Sequence, residues 1–354
     1  MLPNPFKIID PHIHQWDPYN TPHAAAHAVK FLGKFPLLLD RAVRFVNRGA
    51  LLDSVGLTQH LTAAYLPTQY KKDLGFYAVE QVVHVEAHWY EQKGLGVVNE
   101  TRFVSGLNFE EHGLKLGAIV ATADPRQGNF KKVLAAHREA SGKFRGIRKM
   151  AAVHADSGIH AWADDAHLYQ DKKFLTGFEH LAKENLTFDA WVYSTQLKDL
   201  ISLAKDFPET QIVLDHFGTP AGLFGSVGKH TAQNKDAREK ILQHWQTHIA
   251  ELAQCPNVWI KMSGLYMPVL GHRYYQQHCH VSKDQILEQM TPLISHVLAH
   301  FGTERVMFAS NFPMDSVNVE LITLLDAMTD IVHGLCPDAL PDIFYNNAKQ
   351  FYQL

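Results

Sequence analysis

Two histidines one residue apart, His12 and His14, end an apolar run that starts as Lys7-Ile-Ile-Asp10-Pro. Side chains alternate along a strand, so both imidazoles project to one side, with Asp10 deeper on that side. Paired imidazoles at a strand end hold a metal ion or handle a proton. A chain with 23 histidines also brings two together by chance, so the pair gains weight only from its company.

That company is a series of polar side chains at the ends of later apolar runs. His84, Glu86 and His88 share one parity. Arg145 and Arg148 sit on a fourth run, Asp189 on a fifth, Asp215-His216 end a sixth, and Ser310-Asn311 with Asp315 end the last. Any one of them reads equally well as a hydrogen-bonded core group. Their recurrence at the same end of successive runs does not follow from packing. Neighbours on a strand face opposite sides, so if His216 looks inward, Asp215 looks away and is structural. Arg148 suits a substrate carboxylate, which a guanidinium forks better than an ammonium does. The competing reading pairs it with Glu86 or Asp189 inside the protein.

The elements that must position these groups alternate. After the first run come Ala78–Trp89, Leu114–Asp124, Phe144–Met150, Leu186–Val192, Gln211–Gly218, Asn257–Leu265 and Arg305–Pro313, eight β-rich runs in all. Between them lie amphipathic stretches such as Phe130–Ala140, Asp171–Glu184, Thr195–Phe207, Ala237–Ala253, Lys283–Phe301 and Glu320–Leu335, several of which open on a capping Asp, Ser or Thr. Residues 90–113 are the weakest slot. Continuous apolar strands alternating with helices predict a parallel sheet covered by helices. With no G-x-G-x-x-G and no phosphate-binding loop, eight units predict a (β/α)8 TIM barrel, whose active site lies at the C-terminal strand ends. Residues 17–75, with helix-like spacing around Phe31–Val46 and Leu51–Leu66, are read as a helical insertion after strand 1. It either covers the histidines or merely decorates the barrel. The whole chain, 1–354, is read as one domain. Residues 219–235 and 266–282 belong to the mouth, and Tyr274 in the second is a candidate substrate contact beside His272, His278 and His280.

Composition narrows the function. Hydrophobic residues make up 46% and charged residues 19% of the 354, as in an ordinary globular enzyme. A net charge of -3 without a basic stripe argues against a nucleic-acid partner. No run is apolar enough to span a bilayer, and the N-terminus lacks a signal-peptide pattern. Cys255, Cys279 and Cys336 are odd in number and scattered, which predicts free thiols and a cytoplasmic protein. A homodimer is the generic expectation for apolar outer faces of barrel helices.

Taken together, the motifs resemble the amidohydrolase superfamily, in particular the amidohydrolase-related branch that includes sugar lactonases and 2-pyrone-4,6-dicarboxylate lactonase. The matching pieces are Asp10-Pro-His12-Ile-His14-Gln-Trp-Asp, Val85-Glu86-Ala87, Arg145-Gly-Ile-Arg148, Val213-Leu-Asp-His216-Phe-Gly-Thr-Pro220, Lys261-Met-Ser-Gly-Leu265 and Arg305-Val-Met-Phe-Ala-Ser-Asn311-Phe-Pro313. The resemblance implies that His12, His14 and His216 surround one divalent ion, most often zinc, which acidifies the water it holds to a pKa of about 7 and polarises a carbonyl. In metal-free relatives the histidines polarise the carbonyl themselves. Where the family carries a catalytic aspartate on strand 8, this chain has Asn311, which accepts no proton at ordinary pH. Asn311 then orients water, with Asp315 or Glu86 as base, or hydrolysis is lost. No histidine on strand 5 and no bridging lysine at the end of strand 4 argue against a binuclear centre. The expected activity is hydrolysis of a lactone of a small carboxylated or sugar-derived molecule. Arg148, His88 and Tyr274 would face this substrate. Decarboxylation, amide hydrolysis and a silent metabolite-binding barrel are the alternatives.

Overall fold

The computed structural model describes residues 6–21, 31–32, 35–45 and 49–354. Eight strands form one sheet: β1 (Ile8–Ile13), β2 (Val79–Val85), β3 (Lys115–Thr122), β4 (Phe144–Met150), β5 (Thr187–Trp191), β6 (Ile212–Leu214), β7 (Val258–Met262) and β8 (Val306–Phe308). Consecutive strands pair in parallel and in chain order. The first and last meet beyond their ends, where Asn311 N donates to His12 O at 2.9 Å and His14 N to Phe312 O at 2.9 Å. The result is the (β/α)8 barrel that the alternation predicts.

Helices follow the strands and bury apolar stripes against them. Asp171 caps Lys172–Lys183, Asn234 caps Lys235–Leu252, and Ser282 with Gln285 forms a capping box on Lys283–Phe301. The weak slot is filled by the helix Val98–Ser105. Inside the lower barrel, Ile9, Val83, Val120, Val213 and Met307 pack together with Ala348, Phe351 and Tyr352 of the C-terminal helix Asn347–Tyr352, which closes that end.

Two strands end earlier than their apolar runs. β6 stops at Leu214 because His216 and Phe217 adopt left-handed backbone, with φ of 57° and 52°. β8 stops at Phe308, and Asn311 has φ 60°. The polar residues of both runs therefore lie on turns above the strands.

The insertion contains the helices Pro36–Phe45, Gly49–Val55, Thr58–Thr62 and Pro67–Asp73, while 22–30, 33–34 and 46–48 lie outside the described residues. Trp16 and Tyr65 form an antiparallel bridge, and Trp16 Nε1 donates to Ala63 O at 2.8 Å. At Gly56 a Cβ would stand 2.6 Å from Val317 and 3.3 Å from Pro268, so this segment packs on the loops after β8 and β7. The insertion sits on the rim that carries the histidines. Among the described residues no helix is long and apolar enough to cross a membrane. The three cysteines are free.

Candidate active site

The geometry of β1 decides which side chains enter the barrel. Its register with β2 shifts between Asp10 and Ile13, a bulge that inserts one extra residue. Asp10 consequently does not lie beneath the two histidines. It accepts from Tyr70 Oη at 2.7 Å, from Ser310 N at 3.0 Å and from His12 N at 3.2 Å, and so ties the strand to the helix Pro67–Asp73. His12 and His14 stand with their rings 5.0 Å apart, and His216 brings a third ring to 4.7 Å from His12. All three are buried.

The sixth strand end overturns one expectation. Asp215 does not look away: it shares the inward parity of Val213, and the left-handed backbone at His216 breaks the alternation and turns that ring inward as well. Asp215 Oδ1 lies 3.3 Å from His12 Nδ1 and 3.1 Å from Lys261 Nζ, and Oδ2 lies 3.7 Å from Arg148. His216 is held by Ser263 Oγ at 2.8 Å from its Nδ1, which leaves Nε2 free. Gly264, with φ 63°, makes room for that ring, since a Cβ there would stand 2.4 Å from it.

Ligand atoms of His12, Asp215 and His216 lie within 4.8 Å of one another, and this is the group of the described residues that could hold a metal ion. The donor chemistry fits one. Burial drives His12 and His216 well below the ordinary histidine range, so both rings stay neutral and keep a lone pair. Both Asp215 oxygens are buried without an aligned hydrogen bond, although Lys261 lies within ion-pair distance of one.

His14, expected among the ligands, is turned elsewhere. Its Nδ1 is 2.8 Å from the Val85 carbonyl and its Nε2 is 3.2 Å from the side-chain oxygen of Asn311. A carbonyl only accepts, so Nδ1 carries the proton. Burial pushes His14 down to about 3, which makes Nε2 of the neutral ring an acceptor. The neutral ring is satisfied when the Asn311 amide presents its NH2 to His14 and its oxygen to Asp315, whose Oδ1 is 2.8 Å from Nδ2. Asp315 then has to carry a proton, and burial does push it up to about 7. His14, Asn311 and Asp315 thus form one hydrogen-bonded line.

The second strand and the loops contribute less than their sequences suggest. Glu86 is paired with Arg148. Arg148 Nε donates to Glu86 Oε1 at 2.8 Å and another guanidinium nitrogen to Glu86 O at 2.7 Å. Burial works to raise Glu86, but the Arg148 charge prevails and holds it at about 2. Arg148 is therefore occupied, with only NH1 aimed at the site, 3.3 Å from His12 Nε2. His84 faces the outer layer and Glu100 at 3.2 Å. His88 is exposed, with φ 59°. Tyr274 is half-buried and its hydroxyl accepts from Gln289 at 3.2 Å. His272 is buried between Phe224 and Tyr266 and bonds to Leu265 O at 2.9 Å, so it supports the loop rather than the site.

Two residues without a role in the sequence reading belong here. Lys261 is fully buried on β7, with Nζ 2.6 Å from Asp189 and 3.2 Å from His12 Nδ1. Its signal was a lone cation in the apolar run Val258-Trp-Ile-Lys-Met262. Asp215 is the other. Above the site, Trp191 meets His216 edge-on at 5.6 Å within a cluster of loop side chains including Tyr193, Ala221 and Met267.

Comparisons with known proteins show the family and the fold. A family model described as Amidohydrolase matches residues 9–354. An uncharacterized protein, y4mH, from Sinorhizobium fredii is 27% identical over 98% of both chains. An L-fucono-1,5-lactonase from Burkholderia ambifaria is 27% identical over 60% of this chain and 62% of its own. Among solved structures, an amidohydrolase from Burkholderia multivorans with bound zinc superposes with a TM-score of 0.70 at 21% identity, covering 98% of this chain and 99% of that one.

Proposed function

This chain belongs to the amidohydrolase family, and from that premise we propose that it hydrolyses the ring C–O bond of a lactone derived from a sugar or similar small hydroxylated acid. The observation that carries the proposal is the convergence of His12, Asp215 and His216 in one buried donor group. The lactonase name of a partial relative supports the choice of bond. A divalent ion, with zinc as the proposed identity, would be held by those three residues and would supply Lewis acidity, polarising a carbonyl and acidifying water.

The rest is done by the chain itself. Asp315 is the proton acceptor, and Asn311 carries the connection to His14 at the site. This restores, four residues later, the acid that strand 8 lacks at Asn311. Ser263 fixes the His216 ring, and Glu86 fixes Arg148 so that NH1 points inward. Buried cations beside a reacting carbonyl stabilise the oxyanion that develops there. A second reading, carbonyl polarisation by the chain's own cations without a metal, is favoured by Arg148 and Lys261 at 3.3 Å and 3.2 Å from the His12 ring.

The test is proton release from a panel of sugar-derived and carboxylated lactones by purified protein, before and after chelation. Turnover lost on chelation and restored by zinc is the expected result. Turnover that survives chelation selects the second reading. If no lactone is opened while some still raise the melting temperature, the chain is a binding protein and the hydrolytic proposal falls.

A further inference from the structure

The buried ammonium of Lys261 stands among donors that would suit a second metal ion. Its Nζ lies 2.6 Å from Asp189 Oδ2, 3.1 Å from Asp215 Oδ1 and 3.2 Å from His12 Nδ1. Two carboxylates and an imidazole are an ordinary ligand set for zinc, which would sit about 2.0–2.2 Å from each. The observed spacings are too long for metal–ligand bonds and suit an ammonium, which donates to Asp189 and stands in ion-pair contact with Asp215. Asp215 and His12 also belong to the candidate metal group. The ammonium and that group therefore share a carboxylate, and two ions in binuclear hydrolases stand about 3.5–4 Å apart.

The ammonium is locked in place from below. The Tyr352 hydroxyl donates to Asp189 Oδ2 at 2.8 Å, and Lys261 Nζ lies 5.4 Å from the centre of the Tyr352 ring. The tether comes from the helix that closes the lower barrel, so the lysine has no exposed position to swing into. One Asp189 oxygen and both Asp215 oxygens lack aligned hydrogen-bond partners. Without the ammonium these two carboxylates would face each other at depth with no positive charge between them.

We propose that Lys261 is a positioning residue that occupies the second cation place of this site, so that the barrel accepts one fewer metal ion than its carboxylates could bind. The inference rests on the cation site of the proposed function but is read out separately from it. Zinc equivalents retained after gel filtration are counted by elemental analysis in wild type and in Lys261→Ala, which removes the charge and opens space. The variant is expected to retain one equivalent more than wild type, and Lys261→Arg to match wild type.

One equivalent in wild type and two in the variant supports both readings. None in wild type and one in the variant removes the metal from the proposed function yet upholds the role of Lys261. Equal numbers overturn it. If Lys261→Ala does not fold, the wild type loaded with excess Mn(II) decides by electron paramagnetic resonance. A spin-coupled pair overturns the inference, and a spectrum without coupling upholds it.

Discussion

Asp315 receives a hydrogen bond from Tyr266 N at 3.0 Å and lies 2.8 Å from the Asn311 side-chain amide, and burial pushes it up to about 7. The folded chain therefore holds this proton from about pH 4, where an unfolded aspartate releases it, up to about 7. Throughout that window the folded state binds one proton more than the unfolded, so stability falls as pH rises, by about 1.4 kcal/mol per unit. Asp315→Asn removes the effect, and denaturant midpoints between pH 4 and 8 should fall less in the variant than in wild type. If Asp315 is also the proton acceptor, kcat rises with pH through a midpoint near 7. The variant loses that limb and about 100-fold or more in rate. A pH profile unchanged by the substitution would remove Asp315 from the chemistry. Glu86 belongs to a different class. Glu86→Gln leaves the Arg148 guanidinium buried without its anion, and breaking such a pair costs about 3–5 kcal/mol. Urea unfolding should record that loss, whereas a base or a substrate contact would have shown up in rate or KM alone. In the sequence both acids looked like candidate bases, because a residue type does not say which neighbour neutralises it.

At the scale of elements, what was legible and what was not divide at the strand ends. The apolar runs and their capped helices carried enough periodicity to place all eight strands in order. Alternation then failed wherever the backbone left the extended region. The bulge in β1 sends Asp10 to the outer layer, and the left-handed backbone at His216 brings that imidazole inside beside Asp215. A period of two cannot register an extra residue or a positive φ, since both are set by the neighbouring strands. Gly264 shows how closely two strand ends depend on each other. Its φ of 63° and the 2.4 Å from its missing Cβ to the His216 ring leave no room for a side chain. Gly264→Ala should strain the backbone by about 1–3 kcal/mol and push His216 off Ser263. Zinc affinity measured against a competing chelator is expected to drop at least about tenfold, a loss of about 1.4 kcal/mol. Unchanged affinity would mean that His216 is not a ligand.

Across the whole molecule, the barrel is sealed at one end by its own C-terminus and covered at the other by an insertion from near its N-terminus. The lower seal is both apolar and polar. Phe351 and Tyr352 pack on Ile9, Val83, Val213 and Trp259, and the Tyr352 hydroxyl reaches Asp189 in the polar layer above. These two contributions are separable. Tyr352→Phe keeps the ring in the apolar plug and removes only a hydrogen bond to a carboxylate, a change of about 1.5–3 kcal/mol. Tyr352→Ala also opens a cavity inside the strand ring, where aromatic truncation costs about 3–5 kcal/mol. Because strands from every part of the chain meet around that plug, the barrel should unfold as one unit. Circular dichroism and tryptophan fluorescence are then expected to report a single, coincident transition that shifts further for Ala than for Phe. Two separated transitions in Tyr352→Ala, with the site-side tryptophan Trp191 unfolding last, would show that the closed end and the catalytic end are independent. In that case the tether through Asp189 would not connect them energetically.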